Sequence, residues 1–377
     1  MTATPRNAGK PGRGPAGKPG REPDAEPGAA GATAAAVSHH HSPARRRLIR
    51  VLGLVGLLVA VLVAVGLSLF LGSRSIDLPA VLAVLSGARE GDAVEQMVVL
   101  DLRVPRTIIG LVAGAALGLA GTLMQGLTRN PLADPGLLGV NSGASLAVVV
   151  SIAVFGVASP AGYIWFAFLG ATVAAVLVYA VASGRTGPTP LSLTLAGAAV
   201  TAVLTALITL VLLRDLDTLA QYRFWSVGSL VARDAGTVVT LAPFLLGGAV
   251  LAVALGRSLN GLALGDDVAR GLGQRVGLTR VVAGIAIILL CGSATSLAGP
   301  LVFVGLVVPH VARRLVGADF RWIAAYSLPL GAILLVLADT LGRLIAQPAE
   351  LEAGIVVAVI GAPVLIALVR RDRGVIR

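Results

Sequence analysis

Long apolar stretches alternate with short polar ones along most of the chain. Eight windows contain no charged residue: 51–73, 107–128, 135–184, 186–213, 235–256, 281–312, 322–338 and 353–369. Two of them are long enough for two helices, because Gly and Pro residues interrupt them at 156–162 ("GVASPAG") and at Gly299-Pro300. Most of the resulting segments approach the ~20 residues with which an α-helix crosses a bilayer. The pattern therefore predicts about ten transmembrane helices.

Composition and pattern together indicate the class of protein. Hydrophobic residues make up 56% of the 377 residues and charged residues 13%, whereas about a quarter of a soluble protein is charged. In a bilayer every backbone polar group needs a partner within the protein, so only helices and closed barrels span it. A barrel strand would alternate apolar and polar residues, and these segments are apolar on all sides. We therefore predict an all-α integral membrane protein.

The charged residues predict how the chain lies in the membrane. Excess Lys and Arg mark the cytoplasmic side of membrane proteins, so the net charge of +11 does not require a nucleic acid partner. With the N-terminus inside, the inner connections beyond the tail contain 17 Arg and 5 acidic residues, and the outer ones contain 8 Arg and 11 acidic residues. Both termini are therefore predicted to be cytoplasmic. The connection "LTRNPLADPGLLG" (127–139) is placed on the same side, where its prolines and glycines end one helix and begin the next.

The chain divides into a predicted disordered cytoplasmic tail, residues 1–44, and a ten-helix transmembrane domain, residues 45–377. The tail consists of Gly, Pro and Ala with scattered charges and has no apolar periodicity. Its stretch "GRGPAGKP" matches G-x-G-x-x-G by chance, because Pro19 stands where a phosphate loop needs Ser or Thr. The cluster 39–41 of three histidines is interpreted as part of a solvated tail rather than a metal site. A single cysteine, Cys291, excludes an intrachain disulfide.

A faint internal repeat points to two related halves. Residues 119–139 align with residues 297–317, so that Gly121 stands opposite Gly299 and Pro131 opposite Pro309. The two copies lie five predicted helices apart, and an odd separation inverts the orientation of the second copy. Such inverted halves are typical of transporters, and the chain is predicted to have an inverted-repeat permease fold.

Few positions within the apolar segments can carry chemistry. Asp339 and Arg343 lie four residues apart near the outer end of the ninth predicted span and can form a local ion pair. The spans contain no chain of carboxylates, no nucleophile–base pair and no metal cluster. A proton- or sodium-driven carrier usually needs such acids, so the energy for transport is expected to come from another polypeptide. The stripe Gly110, Gly114 and Gly118 favours close helix packing within one subunit over a dimer face.

The largest predicted cytoplasmic loop, residues 256–280, contains the sequence "DDVARGLG". Asp266 and Asp267 suit the N-terminus of a short helix, and Gly273 suits its end. Such a helix on the inner face could dock a cytoplasmic partner, and a plain solvated linker is the alternative.

Four stretches of the chain closely resemble the FecCD-type permeases. They are "LRVPRTIIGLVAGAALGLAGTLMQGLTRNPLADPGLLGVNSGA", "LALGDDVARGLG", "FVGLVVPHVARRLVG" and "GIVVAVIGAPVLIALVRR". These permeases are membrane subunits of binding-protein-dependent ABC importers for ferric siderophores, haem and cobalamin. The resemblance runs from about residue 51 to the C-terminus, and its motifs are long and occur in the family's order.

The resemblance implies both partners and a substrate. It implies a second permease subunit, identical or similar, two cytoplasmic ATPase subunits, an extracytoplasmic substrate-binding protein, and no cofactor. A ferric siderophore is the favoured substrate, and haem and cobalamin are alternatives within the family. An ion-coupled secondary carrier and a non-transporting membrane scaffold remain as alternatives of a different class.

The resemblance also implies roles for individual residues. Basic residues on the family's outer face dock the binding protein, and the matching positions are Arg103, Arg106 and Arg343. The family's ATPase coupling loop matches Leu264, Gly265, Asp266, Ala269, Leu272 and Gly273. The structural positions of its motifs match Asn130, Pro131, Pro135, Pro309 and His310.

Overall fold

The computed structural model describes residues 43–372 except 75, 88–91, 158, 185–186 and 232–234. The predicted tail, including the histidines at 39–41, lies outside the described residues, so the domain boundary stays a prediction. The helices are α1 (Pro43–Phe70), α2 (Leu78–Leu85), α3 (Ala93–Gln96), α4 (Val104–Thr128), α5 (Val140–Phe155), α6 (Pro160–Ala182), α7 (Pro190–Arg214), α8 (Leu216–Ser226), α9 (Ala235–Ala254), α10 (Gly256–Ala263), α11 (Asp266–Gly271), α12 (Val276–Ile287), α13 (Ser293–Ala298), α14 (Val304–Val316), α15 (Phe320–Ile345) and α16 (Ala353–Asp372).

Three short stretches of other structure join these helices. The π-helical turns Met97–Arg103 and Ile288–Gly292 make α3–α4 and α12–α13 continuous, and Pro135–Leu138 forms a 3₁₀ turn before α5. A two-residue antiparallel pair, with Ser183 opposite Pro188, joins α6 and α7. The chain is otherwise helical wherever the structure describes regular elements.

The predicted helix pattern is confirmed, since a helix falls in each of the ten predicted segments. Seven helices of the described chain are long and apolar enough to cross a membrane. Two further apolar helices are shorter, Val140–Phe155 and Ala353–Ala367. The break at 156–162 separates α5 from α6, where the glycine at position 156 has a φ of 64° and Pro160 opens the next helix.

The eighth segment differs from the full-length span that the sequence predicts. Its helix, α14, has 13 residues and is about 20 Å long, against the roughly 30 Å of a bilayer core. Gly299-Pro300 ends α13, and Phe303 caps α14 with a φ of 68°. Residues 299–303 between α13 and α14 are not helical, and Gly299 lies against the carbonyl of Trp225.

The sequence alignment of the two halves does not match helix to helix. In the first stretch α4 continues to Thr128 and a connection follows, whereas in the second stretch the connection comes first and α14 follows. The two stretches also touch, because Gly121 and Gly305 pack backbone to backbone.

Helix α4 lies at the centre of the molecule, packed against α15, α14 and α9. In the most apolar 18-residue stretch of the continuous helix Ala93–Thr128, which contains α4, 78% is buried within the protein. The same share for α1 is 6%. The glycine stripe explains how α15 approaches so closely. Gly110 faces Val336, Gly114 faces the carbonyl of Gly331, and Gly118 faces the carbonyl of Ser327. The prediction that this stripe packs within one subunit is confirmed.

Replacing Gly114 by Ala is expected to destabilise the fold, because the added Cβ would overlap the carbonyl group of Gly331. Overpacking of this kind costs roughly 1–3 kcal/mol. The matched control is Gly56→Ala in α1, where a Cβ would meet nothing within 4 Å and stability should not fall, because Ala favours a helix more than Gly does. Thermal unfolding of both variants in detergent is the measurement. Equal unfolding midpoints would contradict the close approach of α4 and α15.

Candidate functional site

Two groups of polar residues stand out, one at each end of α4. At the N-terminal end of α4 the arginine cluster consists of Arg103, Arg106, Arg343, Asp339 and Glu350. At the C-terminal end, the connection 129–139 meets the loop that contains α10 and α11. The 25-residue helix α4 spans the distance between the two groups.

The arginine cluster joins α4 to the C-terminal end of α15. Arg106, in the first turn of α4, donates a hydrogen bond from Nη2 to Asp339 Oδ1 over 2.8 Å and from Nη1 to Glu350 Oε2. Arg343 reaches back along α15 and forms an ion pair with Asp339, with Nε 3.2 Å from Oδ2. Asp339 thus lies between two guanidinium groups, and only 2% of its side chain is exposed.

Two of these arginines also hold the end of α1. Arg343 donates to the carbonyl of Ser68 at 3.0 Å, to the carbonyl of Leu71 at 3.1 Å and to Ser68 Oγ at 2.8 Å. Arg103 donates to the carbonyls of Leu69 and Phe70 at 2.7 and 2.8 Å. The last carbonyls of a helix have no partner within that helix, so these two guanidinium groups cap the C-terminus of α1.

The structure corrects the expectation that these arginines are displayed on a surface. The exposed fractions of Arg103, Arg106 and Arg343 are 3%, 7% and 2%. Their donors are used by carboxylates and carbonyls of three different segments, which burial requires of a charged group. The ion pair that the sequence predicted between Asp339 and Arg343 is confirmed, but it belongs to a buried network rather than to a snorkelling pair. The docking role of the three arginines stays a prediction.

A cleft of about 150 Å³ opens onto the arginine cluster. Its polar lining consists of Ser73, Asp101, Arg103, Arg106, Arg343 and Glu350. Glu350 is the more accessible of the two paired acids, with 29% of its side chain exposed. It lies on the connection 346–352 between α15 and α16, and Ser73 Oγ donates to its Oε1 at 3.0 Å.

The surroundings of Glu350 lower its pKa. Partial burial raises the pKa of Glu350. The hydrogen bond and charge of Arg106, the hydrogen bond from Ser73 and the charge of Arg343 lower it by more, so the pKa lies below the ordinary 4.5. A carboxyl whose pKa is lower in the folded state stabilises the fold when it is ionised. The contribution of Glu350 is therefore complete above pH 4.5 and is lost as the pH falls below that value.

The loop between α9 and α12 contains the short helix that the sequence predicts. Helix α11 begins at Asp266 and has both Asp266 and Asp267 in its first turn. Gly265 and Gly273 flank it with φ values of 105° and 81°, conformations that glycine adopts without strain. The predicted ends of this helix are confirmed.

Ion pairs of Asp266 connect α11 to the end of α4 and to α12. Its carboxylate lies 2.7 Å from Nη2 of Arg280 in α12 and 3.3 Å from Nη2 of Arg129. Arg129 ends α4 in a left-handed conformation with a φ of 51°. These ion pairs fix the loop relative to both α4 and α12.

Three exposed apolar side chains lie on α11 and at its two ends, and we call them the apolar strip: Leu264, Val268 and Leu272. Their exposed fractions are 63%, 49% and 65%. Val268 and Leu272 are four residues apart and lie on one side of α11, whereas Leu264 precedes the helix and is separated from it by Gly265. Ala269, in contrast, is completely buried. Ala269 therefore faces the interior of the subunit and cannot contribute a side chain to an external contact in this conformation.

The remaining motif residues shape the connection after α4. Asn130 Oδ1 accepts a hydrogen bond from the amide of Leu132 at 2.9 Å, next to Pro131. Pro135 opens the 3₁₀ turn and is packed against Gly305 of α14. Pro309 is buried within α14, and His310 follows it on the same helix, partly buried. Pro135 therefore holds the connection against α14.

The sequence alone did not single out three residues that the structure brings into these groups. Val268 could have been found from its spacing, since it lies midway between Leu264 and Leu272. Glu350 and Arg129 had no such signal, because their partners lie 244 and 137 residues away.

Comparisons with known proteins agree with one another. A model of the FecCD transport family matches residues 58–371. The chain is 49% identical over 324 residues to the ferric enterobactin transport system permease protein of Escherichia coli (strain K12), an alignment that covers 85% of this chain and 96% of that protein. It is 39% identical over 337 residues to the Fe(3+)-citrate import system permease protein of Bacillus subtilis (strain 168), covering 89% and 99%. A solved inward-facing structure of an ABC transporter of the metal-chelate type has a TM-score of 0.74 at 28% identity, covering 84% of this chain and 98% of that one.

Proposed function

The chain belongs to the FecCD transport family, and from this premise we propose that it is the permease subunit of an ABC importer for a ferric siderophore. The observation that carries the proposal is the 49% identity to a ferric enterobactin permease over 96% of that protein. A match over the whole membrane domain supports a shared transport path and shared partners. In this proposal the substrate crosses the membrane through the permease, and a separate chain hydrolyses ATP.

The positions of the two polar groups at opposite ends of α4 support different roles for the outer and the cytoplasmic face of the permease. We place the arginine cluster on the outer face, where an extracytoplasmic binding protein delivers the substrate, and the apolar strip on the cytoplasmic face. An exposed apolar strip on a charged cytoplasmic loop suits a protein interface, and we assign it to the ATPase subunit. Both termini are then cytoplasmic. A second permease subunit, either a second copy or a similar chain, would complete the transport path.

The buried acid of the arginine cluster favours this proposal over an ion-coupled carrier. A carrier moves protons or sodium ions with carboxylates that change their charge or coordination. Both carboxylate oxygens of Asp339 are already engaged by arginines, at 2.8 and 3.2 Å, rather than offered to a transported cation. It acts instead as a structural counter-ion.

Uptake measured in proteoliposomes tests the proposed function. The permease is reconstituted with its ATPase subunits and its binding protein, and a panel of iron-loaded siderophores, haem and cobalamin is offered. We expect uptake of a ferric siderophore that requires ATP, the ATPase subunits and the binding protein, with no uptake by the permease alone. Transport of haem or cobalamin in place of siderophores would correct the substrate. Uptake driven by an ion gradient without ATP would overturn the proposal.

A further inference from the structure

The end of the molecule at which α1 begins carries a group of arginines that no carboxylate of the described residues balances. We call this group the basic patch, and it consists of Arg46, Arg47, Arg50 and Arg314. None of the four forms an ion pair with another described residue. The acid nearest to Arg314 in the sequence, Asp319, already pairs with Arg321 at 3.0 Å and accepts a hydrogen bond from Asn260 at 2.8 Å. The basic patch therefore has a net positive charge, which attracts an anion.

Arg50 connects the beginning of α1 to the beginning of α15. Its guanidinium group lies 5.7 Å from the ring centre of Trp322, and its backbone carbonyl accepts a hydrogen bond from the hydroxyl of Tyr326 at 2.6 Å. Arg46 and Arg47 precede Arg50 by four and three residues, so they lie on the same side of α1. The basic patch therefore extends along the side of α1 that faces α15.

Arg314 joins the basic patch from α14. It is exposed and lies in the last turn of that helix. Gly317 follows directly after α14, and a Cβ added to it would lie 3.8 Å from Nη2 of Arg50. The end of α14 and the beginnings of α1 and α15 thus meet at this place, and Arg50 and Arg314 approach it from different helices.

An apolar groove of about 320 Å³ runs between α14 and α15 toward the basic patch. Every residue that lines it is apolar, and its wall on α14 consists of Val307, Val308 and Val311. Arg314 follows Val307 by seven residues, two helical turns, and so lies on the same face of α14. The wall on α15 lies within residues 330–341, and Trp322 precedes Ile333 of that wall by eleven residues, about three turns. The groove therefore ends beside an arginine on one helix and a tryptophan on the other.

We propose that the basic patch and the groove together bind one anionic phospholipid, with its phosphate at Arg50 and Arg314 and an acyl chain in the groove. Both α1 and α15 are long and apolar enough to cross a membrane, and only 6% of the most apolar stretch of α1 is buried within the protein, so lipid surrounds this region. Arginines next to a membrane-spanning helix attract anionic lipids, and tryptophan is favoured at the level of the headgroups. The bound lipid would join α1 to α14 and α15. This inference goes beyond transport and is tested on the permease alone.

The double variant Arg50→Gln/Arg314→Gln tests this inference, because it removes two charges but keeps the backbone carbonyl that Tyr326 uses. The matched control is Arg257→Gln/Arg275→Gln, which removes two exposed charges that form no ion pair with the described residues. The purified permease in neutral detergent is titrated with dioleoyl phosphatidylglycerol, and the rise of its thermal unfolding midpoint gives the affinity. We expect binding to weaken roughly fivefold for each arginine removed from the basic patch, and the control to bind like the wild type.

Two further ligands separate the headgroup from the acyl chain. Dioleoyl phosphatidylcholine has the same chains but no net charge and should bind more weakly than phosphatidylglycerol, whereas inorganic phosphate alone should leave the midpoint unchanged. Equal affinity for the two lipids, an equal loss in both double variants, or stabilisation by phosphate alone would each overturn the inference. If the double variant does not fold, Arg314→Gln decides the question, because that side chain is exposed, and unchanged phosphatidylglycerol binding by it also overturns the inference.

A variant of the groove tests the place of the acyl chain. Val311 lines the groove and is exposed, so Val311→Trp fills the groove without changing any charge. We expect it to weaken phosphatidylglycerol binding while the unfolding midpoint without lipid stays close to that of the wild type. If Val311→Trp instead leaves lipid binding unchanged and alters the oligomeric state, the groove is a contact with a second copy of the chain, and the inference is wrong.

Discussion

A permease with Val268→Asp is expected to lose ATP-driven uptake, by at least an order of magnitude, while it still folds and inserts. The apolar strip is exposed in the subunit, and in the proposed importer it would be buried against the ATPase. A carboxylate in its centre would have to give up its water without a partner, which opposes docking. Uptake, ATPase association and ATP hydrolysis in reconstituted importers are the three measurements.

The control for this variant lies on the same helix. The side chain of Asp267 is 99% exposed, and its one ion pair among the described residues is with Arg270, at 2.9 Å, so Asp267→Asn changes the charge of α11 without changing the apolar strip. We expect this variant to transport at close to the wild-type rate. If Val268→Asp transports equally well, the apolar strip is not the ATPase contact.

A charge at the buried Ala269 behaves differently. Ala269 is 0% exposed, so Ala269→Asp would disturb the packing of the loop against the subunit itself. Its expected signature is a lower yield of folded protein, whereas Val268→Asp should give a normal yield and a defect in association. The two neighbouring positions therefore distinguish a contact surface from a packing position.

Arg343→Ala is expected to destabilise the fold strongly, by about 3–5 kcal/mol, the usual effect of removing one partner of a buried ion pair. The truncation leaves Asp339 buried with one remaining guanidinium. It also removes the donors to the carbonyls of Ser68 and Leu71 and to Ser68 Oγ, so the end of α1 loses its connection to α15. The measurement is thermal unfolding in detergent, with the fraction of monodisperse protein as a second readout.

Helix α15 provides a matched control at its other end. Arg321 also pairs with an aspartate, Asp319, at 3.0 Å, but its side chain is 52% exposed. Truncation of a solvent-exposed pair of this kind has little effect on stability, because water and salt screen the two charges. Arg343→Lys should lie between the two, because an ammonium keeps the charge but cannot reproduce the planar set of donors. Equal unfolding of Arg343→Ala and Arg321→Ala would show that the buried network contributes no more than a surface pair.

The sequence by itself determined the membrane class and the positions of the helices. The length of a charge-free segment and the Gly and Pro residues that interrupt it are local properties, and they predicted the break between α5 and α6. The aspartates and Gly273 that flank α11 are equally local, and they predicted both of its ends. The glycine stripe of α4 was likewise interpreted correctly, because small residues four apart allow a close approach whatever the partner is. The family motifs could also be identified from the sequence, because each is a continuous stretch of residues.

Only the tertiary structure decided which side chains are buried. Arg103, Arg106 and Arg343 look like surface cations in the sequence, yet their partners come from the end of α1, from α15 and from the connection before α16. The same applies to Val268 and Ala269, adjacent residues of which one is exposed and the other buried. These outcomes depend on contacts between residues far apart in the chain, and local periodicity carries no information about which distant groups will meet.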